Sequence, residues 1–199
     1  MQEPEDIDKL DLEKYELSYL EGRNLLTLTD SDMDKLLNAL GNDDISLIVP
    51  LPCTSENVQR ILSYSECRRC GKCCIPNPLN PDSPGVEIFE DELKEIAAYL
   101  GTPYETLKQE TVTGKILAIP FQQTRLSFTR WSPLPCPYYI ETSGECRVYP
   151  VRPVVCKVHP IVFGGNIPYF TIKVNCDYGK DLIKGAFRDL RKENPELII

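Results

Sequence analysis

Cys67-Arg68-Arg69-Cys70-Gly71-Lys72-Cys73-Cys74 is the stretch on which the reading of this chain turns. A C-x2-C-x2-C run lets three thiolates converge on one face of a tight turn, and Gly71 lets the backbone bend without a Cβ clash. That arrangement suits three corners of a cubane cluster. In bacterial ferredoxins the fourth ligand is a Cys followed by Pro, and Cys136-Pro137 supplies that pair much later in the chain. Zinc competes, because Cys67-x2-Cys70 is also a knuckle and all-cysteine tetrahedral sites are a common form of structural zinc. A zinc ribbon wants a second C-x2-C, whereas Cys136, Cys146, Cys156 and Cys176 are separated by 9, 9 and 19 residues. Three cysteines in one short loop therefore favour a [4Fe-4S] centre, with zinc as the alternative.

The chain has nine cysteines. Leaving aside the isolated Cys53, the rest suffice for one four-cysteine cluster and a second site, or for one cluster with cysteines to spare. Adjacent Cys73 and Cys74 are expected to point apart and to serve different metal atoms. The candidate ligands are Cys67, Cys70, Cys73, Cys74, Cys136, Cys146, Cys156 and Cys176. Arg68, Arg69 and Lys72 lie between the thiolates, where positive charge lowers thiol pKa values and offsets an anionic centre. Cys176 precedes a helix start at Asp177, whose dipole also favours a thiolate.

At 199 residues, with 42% hydrophobic and 26% charged residues, the chain can bury a real core, so its cysteines are not needed to replace one. The first 50 residues hold 13 acidic against 4 basic residues and the remainder 17 against 18, so the net charge of −8 belongs to the N-terminal part. The near-neutral remainder has no basic stripe of the kind that binds DNA or RNA. No apolar run approaches the roughly 18–20 residues needed to cross a bilayer, and the acidic start is unlike a signal peptide. The expectation is a cytoplasmic protein with neither a nucleic-acid nor a membrane partner. Clustered cysteines in a reducing compartment read as a metal site rather than a disulfide framework.

The pattern predicts an α+β fold: an acidic, mostly helical extension over residues 1–66, and a cysteine-cluster metal-binding domain over 67–199. Ser31 is the expected cap, with Asp34 three residues on, of a helix carrying Met33, Leu36, Leu37 and Leu40 and ending at Gly41. Residues 45–49 read as a strand closed by Pro50 and Pro52, and Thr54 or Ser55 caps a helix with Val58, Ile61 and Leu62. Four prolines between Ile75 and Pro84 exclude regular structure there. Asp91 to Leu100 places Leu93, Ile96, Ala97 and Leu100 on one face, with Phe89 as a staple and Gly101 as the stop. Thr102-Pro103-Tyr104-Glu105 opens a second short helix, completing a helical hairpin. Residues 112–119, 124–131 (Leu126, Phe128 and Arg130 alternating with Ser127 and Thr129) and 166–174 read as a small antiparallel sheet. A C-terminal helix from Asp177 turns Leu182, Ile183, Ala186, Phe187 and Leu190 inward.

The order Cys67-x2-Cys70-Gly71-x-Cys73-Cys74, Cys136-Pro137, Cys146-Arg147-Val148-Tyr149-x2-Arg152-Pro153-x2-Cys156-x2-His159-Pro160 and Cys176 resembles the CxxCxxCC cysteine-cluster (YkgJ-like) family, described as zinc- or iron-chelating. The likeness covers roughly Cys67 to Cys176, and the hairpin from Glu87 to Glu110 resembles the segment after the first cluster in that family. The resemblance implies an iron-sulfur or zinc centre and a likeness to the cysteine-rich part of flagellin lysine N-methylases. His159, where the family often has an aromatic residue, and Lys157, where arginine is common, depart from the pattern. The resemblance says nothing of residues 1–66, which read as a docking arm or regulatory cover for a protein partner.

Three functions follow as candidates, and they leave enzymatic activity open. The first is an iron-sulfur protein in electron transfer or in maturation or activation of a partner enzyme. The second is a zinc-binding structural or interaction module. The third is a metal-dependent methylase-like modification enzyme. Against the third, no Gly-rich nucleotide loop follows a strand; Gly164-Gly165 reads only as a hairpin turn. Cys70-x3-Cys74 begins the spacing of radical S-adenosylmethionine enzymes, but Asn77 stands where the third cysteine is needed. Hydrolysis has little support, since His159 is the sole histidine and has no nucleophile context, and Asp91 and Glu92 read as helix N-terminal carboxylates. Arg152 and Pro153 read as structural, proline fixing φ before the return to Cys156.

Overall fold

The computed structural model describes residues 12–78, 83, 85–119, 125–162 and 168–195. Among them the elements run α1 (Asp30–Leu40), β1 (Ser46–Pro52), α2 (Ser55–Leu62), β2 (Val86–Phe89), α3 (Glu90–Leu100), α4 (Tyr104–Gln109), β3 (Val112–Ile119), β4 (Arg125–Ser132), β5 (Tyr139–Ile140), β6 (Glu145–Cys146), α5 (Val154–Val158), β7 (Ile161–Val162), β8 (Tyr169–Lys173) and α6 (Asp177–Glu193). This is the α+β class with small antiparallel sheets and a C-terminal helix. No described helix is long and apolar enough to cross a membrane. Contacts divide the chain into two units that do not follow one cut in the sequence. One joins Met1–Arg68 to Pro160–Ile199, and the other is Arg69–His159.

In the first unit, α1 and α6 share one core. Met33, Leu36, Leu37 and Leu40 are buried in it together with Leu182, Ile183, Ala186, Phe187 and Leu190. A fully buried side chain of this size contributes roughly 1.5–3 kcal/mol, so the apolar stripe of α1 finds its covering surface within the chain. The cap of α1 lies two residues before the expected Ser31. Thr29 Oγ1 accepts the Asp32 N–H at 3.1 Å and donates to the Asp32 carboxylate at 2.8 Å, so Thr29 and Asp32 take the places expected of Ser31 and Asp34. Asp34 instead pairs with Lys184 at 2.9 Å and Asp30 with Arg191 at 3.0 Å. These exposed pairs contribute at most about 1 kcal/mol each, but they match N-terminal acidity with the basic residues of α6.

The sheet of this unit has the order β1-β8-β7. β1 buries Leu47, Val49 and Leu51 and runs through both prolines instead of stopping at Pro50. It is an edge strand, where a missing N–H breaks no ladder, and the register shifts between Val49 and Pro52. β8 pairs here rather than with the strands at 112–119 and 125–132, which corrects the single sheet expected. Its expected first residues, and the Gly164-Gly165 turn, lie outside the described residues. Thr54 caps α2 by accepting the Asn57 N–H at 3.2 Å.

The second unit holds the sheet β2-β4-β3. β2 was not expected, since the pattern put a helical hairpin from Glu87; four residues are too few for a period to show, and pairing of Glu87 with Trp131 and Ile88 with Arg130 makes the strand. α3 buries Leu93, Ile96 and Ala97 and stops at Gly101, whose φ of 64° is the left-handed cap. Phe89 is the residue ahead of α3, and its N–H donates to the Glu92 carboxylate at 3.0 Å. On β4, Thr129 is buried, while Arg130 turns to the end of α4 and donates to Lys108 O at 3.0 Å and Thr111 O at 3.1 Å. The core comprises Ile88, Leu93, Ile96, Ala97, Leu107, Tyr138 and Val148, with Cys136 and Cys146 packed against it. Of the proline-rich segment, residues 79–82 and 84 lie outside the described residues.

Candidate metal centre

The second unit contains Cys70, Cys73, Cys74, Cys136, Cys146 and Cys156. Gly71 makes the first turn: its φ is 75°, and it opens a 3-10 turn over Lys72–Cys74 closed by the Cys74 N–H on Gly71 O at 2.7 Å. A Cβ at Gly71 would meet the Tyr139 ring, so the glycine answers two demands, a left-handed backbone and a close aromatic neighbour. Tyr139 lies directly across the β5-β6 ladder from Cys146. The Cys136 N–H donates to Cys74 O at 2.7 Å, tying the Cys136 segment to the first turn. Three short segments therefore meet through backbone bonds and one aromatic ring.

Cys156 arrives on α5, and Glu92 positions that helix. One Glu92 oxygen accepts the Val154 N–H at 2.6 Å, and the other takes the Phe89 N–H. Glu92 satisfies the first amide of α5, left orphan as at any helix start, and links it to α3. The sequence marks Glu92 only as a helix N-terminal carboxylate; its second bond, 62 residues away, has no sequence signal.

Cys73 and Cys74 share a hydrogen bond with their sulfurs 4.0 Å apart. This corrects the expectation that they point apart. Residues in an extended strand alternate faces, but neighbours in a 3-10 turn are separated by about 120° round the axis, and the two thiols lie side by side. The shared bond holds the Cys73 thiol below its ordinary value, and the Arg152 charge acts in the same sense. The same bond, then burial and the charges of Cys73, Cys136 and Cys156, push Cys74 up. Burial pushes Cys136 up, opposed by backbone N–H donors of Tyr138 and Tyr139. Cys156 is pushed up to about 12, by burial first and then by Cys73, Cys136 and Cys146. Cys73, Cys74, Cys136 and Cys156 are thus linked electrostatically, Cys146 acts on Cys136 and Cys156, and Cys70 is exposed one residue ahead of Gly71.

Arg68 and Arg69 do different work from each other. Arg68 belongs to the first unit and pairs with Asp181 at 2.6 Å. Arg69, at a φ of 54°, stacks on the Tyr149 ring at 4.0 Å, and Arg152 stacks on the same ring at 3.8 Å. Cys67 and Cys176 lie in the first unit: Cys67 packs against its core, and Cys176 is buried as the residue that precedes α6. Cys53 is half-buried against that core, and burial pushes its thiol up. His159 ends α5, its backbone N–H donating to Val155 O at 3.0 Å.

Among the described residues no group of three or more His, Cys, Asp or Glu side chains is closed round a single point as a metal-ion site would be. The donor chemistry nevertheless fits a thiophilic metal. The gathered donors are thiols, Cys136 receives backbone N–H groups as metal-bound thiolates do, and the Nε of Arg152 is buried without a hydrogen-bond partner. Soft thiolates suit zinc and iron, whereas magnesium and calcium take oxygen.

A family model named CxxCxxCC, whose description reads "Putative zinc- or iron-chelating domain", matches residues 66–178. The chain belongs to this family. The CxxCxxCC match takes in every cysteine from Cys67 to Cys176 and leaves α1, β1 and α2 outside it. No curated protein and no solved structure matches the chain.

Proposed function

We propose that the unit Arg69–His159 binds an iron-sulfur cluster and works in electron transfer or in maturation or activation of a partner enzyme, in a reducing compartment such as the cytoplasm. The observation that carries this reading is the gathering of Cys73, Cys74, Cys136, Cys146 and Cys156, tied by the Cys136 N–H on Cys74 O at 2.7 Å and by mutual electrostatic influence, with Cys70 exposed on the loop that leads to Cys73. A three-cysteine loop joined by later cysteines is the ligand pattern of a cubane cluster, and the exposure of Cys70 and Cys73 leaves the centre near the surface, where a partner can approach. When bound, such a cluster supplies one-electron chemistry. The chain's own residues hold the thiols in place: Gly71 and Tyr139 shape the first turn, and Glu92 fixes the helix of Cys156. Reconstitution without oxygen, followed by iron and sulfide analysis of the wild type and of a Cys73→Ser/Cys156→Ser double variant, tests the reading. The wild type is expected to retain both elements and the variant to lose them; a wild type that takes up neither refutes it.

One observation favours zinc. A Zn–S bond of about 2.3 Å implies a tetrahedral sulfur-to-sulfur edge of about 3.8 Å, close to the 4.0 Å between the Cys73 and Cys74 sulfurs. On that reading the metal fixes the fold of the unit and the protein is an interaction module. Retained zinc, no visible absorption, and unfolding on chelation are its expected signature.

A further inference from the structure

Tyr149 carries a guanidinium within about 4 Å of its ring centre twice over, Arg152 at 3.8 Å and Arg69 at 4.0 Å. Two planar cations cannot both lie that close on one face without overlapping, so they occupy opposite faces of the ring. Arg69 comes from the loop that ends in Cys70, while Tyr149 and Arg152 come from the segment between Cys146 and Cys156. The stack therefore clamps two cysteine-bearing segments to each other. It also brings one of its cations inward, since the Arg152 Nε is buried and has no hydrogen-bond partner.

Burying a guanidinium N–H without an acceptor is unfavourable, by about 1–3 kcal/mol for an ordinary donor and by more for a charged one. Other arginines of this chain have a carboxylate on the guanidinium, as Arg60 has Glu193 and Arg68 has Asp181; Arg191, whose Nε is also buried without a partner, still holds Asp30 through Nη1 at 3.0 Å. Among the described residues no carboxylate pairs with Arg152; the groups its charge acts on are the Cys73 and Cys156 thiols, whose anionic form it favours. Four thiolates around a divalent ion leave a net charge of about −2 that something must offset.

We propose that Arg152 is the counter-charge of the thiolate centre, a positioning residue held by Tyr149 between itself and Arg69, whose buried Nε–H is the donor for a metal-bound sulfur. This rests on the thiolate-centre reading but not on the choice between iron and zinc. It assigns distinct tasks within the Tyr149-x2-Arg152 segment: the ring orients, the guanidinium neutralises. Arg69 on the outer face keeps the ring in place and the Cys70 loop attached.

The test uses the metal-free full chain and Zn2+, with affinity read by competition against a chromogenic chelator, for Arg152→Met, Arg152→Lys, Tyr149→Leu and Tyr149→Phe. Arg152→Met, which keeps bulk and removes charge, is expected to weaken Zn2+ binding at least about tenfold, equivalent to about 1.4 kcal/mol. Arg152→Lys, which keeps the charge but loses the planar stack and the Nε–H, is expected to fall between wild type and Arg152→Met. Tyr149→Leu should follow Arg152→Met, and Tyr149→Phe should follow the wild type because the ring face is retained. Arg152→Met binding Zn2+ as tightly as wild type, or Arg152→Lys failing as badly as Arg152→Met, overturns the counter-charge role. Proton NMR of 15N-labelled wild type supplies a readout free of any folding defect. The Arg152 Hε resonance, assigned by its loss in Arg152→Lys, should shift and exchange more slowly on adding Zn2+; an unmoved resonance in Zn2+-loaded protein also overturns the proposal. A wild type that binds no Zn2+ is a different failure, one that removes the thiolate-centre reading and this inference with it.

Discussion

Replacing Glu92 by glutamine tests whether the cysteine geometry is set from a distance. The two Glu92 oxygens accept N–H groups from Val154 at 2.6 Å and Phe89 at 3.0 Å. Glutamine has the same shape but only one oxygen, so one amide must face an NH2 donor in place of an acceptor. A hydrogen bond to a charged group contributes about 1.5–3 kcal/mol, and because Val154 is exposed and water can replace part of the bond, the low end, about 1.5 kcal/mol, applies. For a chain of this length each kcal/mol moves Tm by about 2–4 °C, so the transition reporting this unit should fall by about 3–6 °C. Since α5 carries Cys156, Zn2+ affinity should fall as well, by up to about tenfold. Differential scanning calorimetry and chelator competition measure the two effects. A Tm within 1 °C of wild type together with unchanged Zn2+ affinity would refute the assignment of Glu92 as the tether of α5.

Gly71→Ala should be worse than an ordinary glycine substitution, because the left-handed backbone costs about 1–2 kcal/mol and the new methyl also displaces Tyr139; a loss of Zn2+ affinity beyond tenfold, with the first unit still folded by circular dichroism, is the expected result. Metal affinity should rise with pH from 6 to 8. Cys74, Cys136 and Cys156 are all pushed up without metal and hold their protons at neutral pH, so binding must release them, which calorimetry in buffers of different ionisation enthalpy will count; binding with no proton release would contradict this. Asp189 is held below its ordinary value by the Tyr64 hydroxyl first and then by Lys192 and Arg60. A carboxylate with a depressed folded pKa stabilises fully above its unfolded value, near 4, and the stabilisation is lost as pH falls through the folded value; Asp189→Asn should therefore flatten the acid limb of stability below about pH 4 and leave the dependence at pH 6–8 unchanged in urea titrations.

The sequence carried the helices well where their marks were local. The stripe from Leu93 to Leu100 closed by Gly101, and the one from Leu182 to Leu190, are both found, as is the strand at 112–119. It carried less where the decision lay far away. β2 exists because β4 pairs with it, and β8 joins β1 across more than 100 residues, a choice that alternation alone does not record. The cap at Thr29 in place of Ser31 shows two polar residues, two positions apart, competing for one role. At the candidate centre the residue types were legible, since spacing marked the cysteines and Gly71. The supports were not: Tyr139 over Gly71, Glu92 on Val154 and the Arg69-Tyr149-Arg152 stack are contacts between ordinary residues made only on folding. The adjacency of the Cys73 and Cys74 sulfurs was missed for the same reason, because it depends on the turn conformation and not on the spacing.

The most direct measurement of the central claim is metal and sulfide content after purification without oxygen, taken with the visible spectrum, for the wild type and for a variant in which Cys73, Cys136 and Cys156 are serine. The account predicts a coloured wild type with about four irons and four sulfides per chain and a colourless variant with neither. A wild type that retains no iron and takes up none on reconstitution would contradict it.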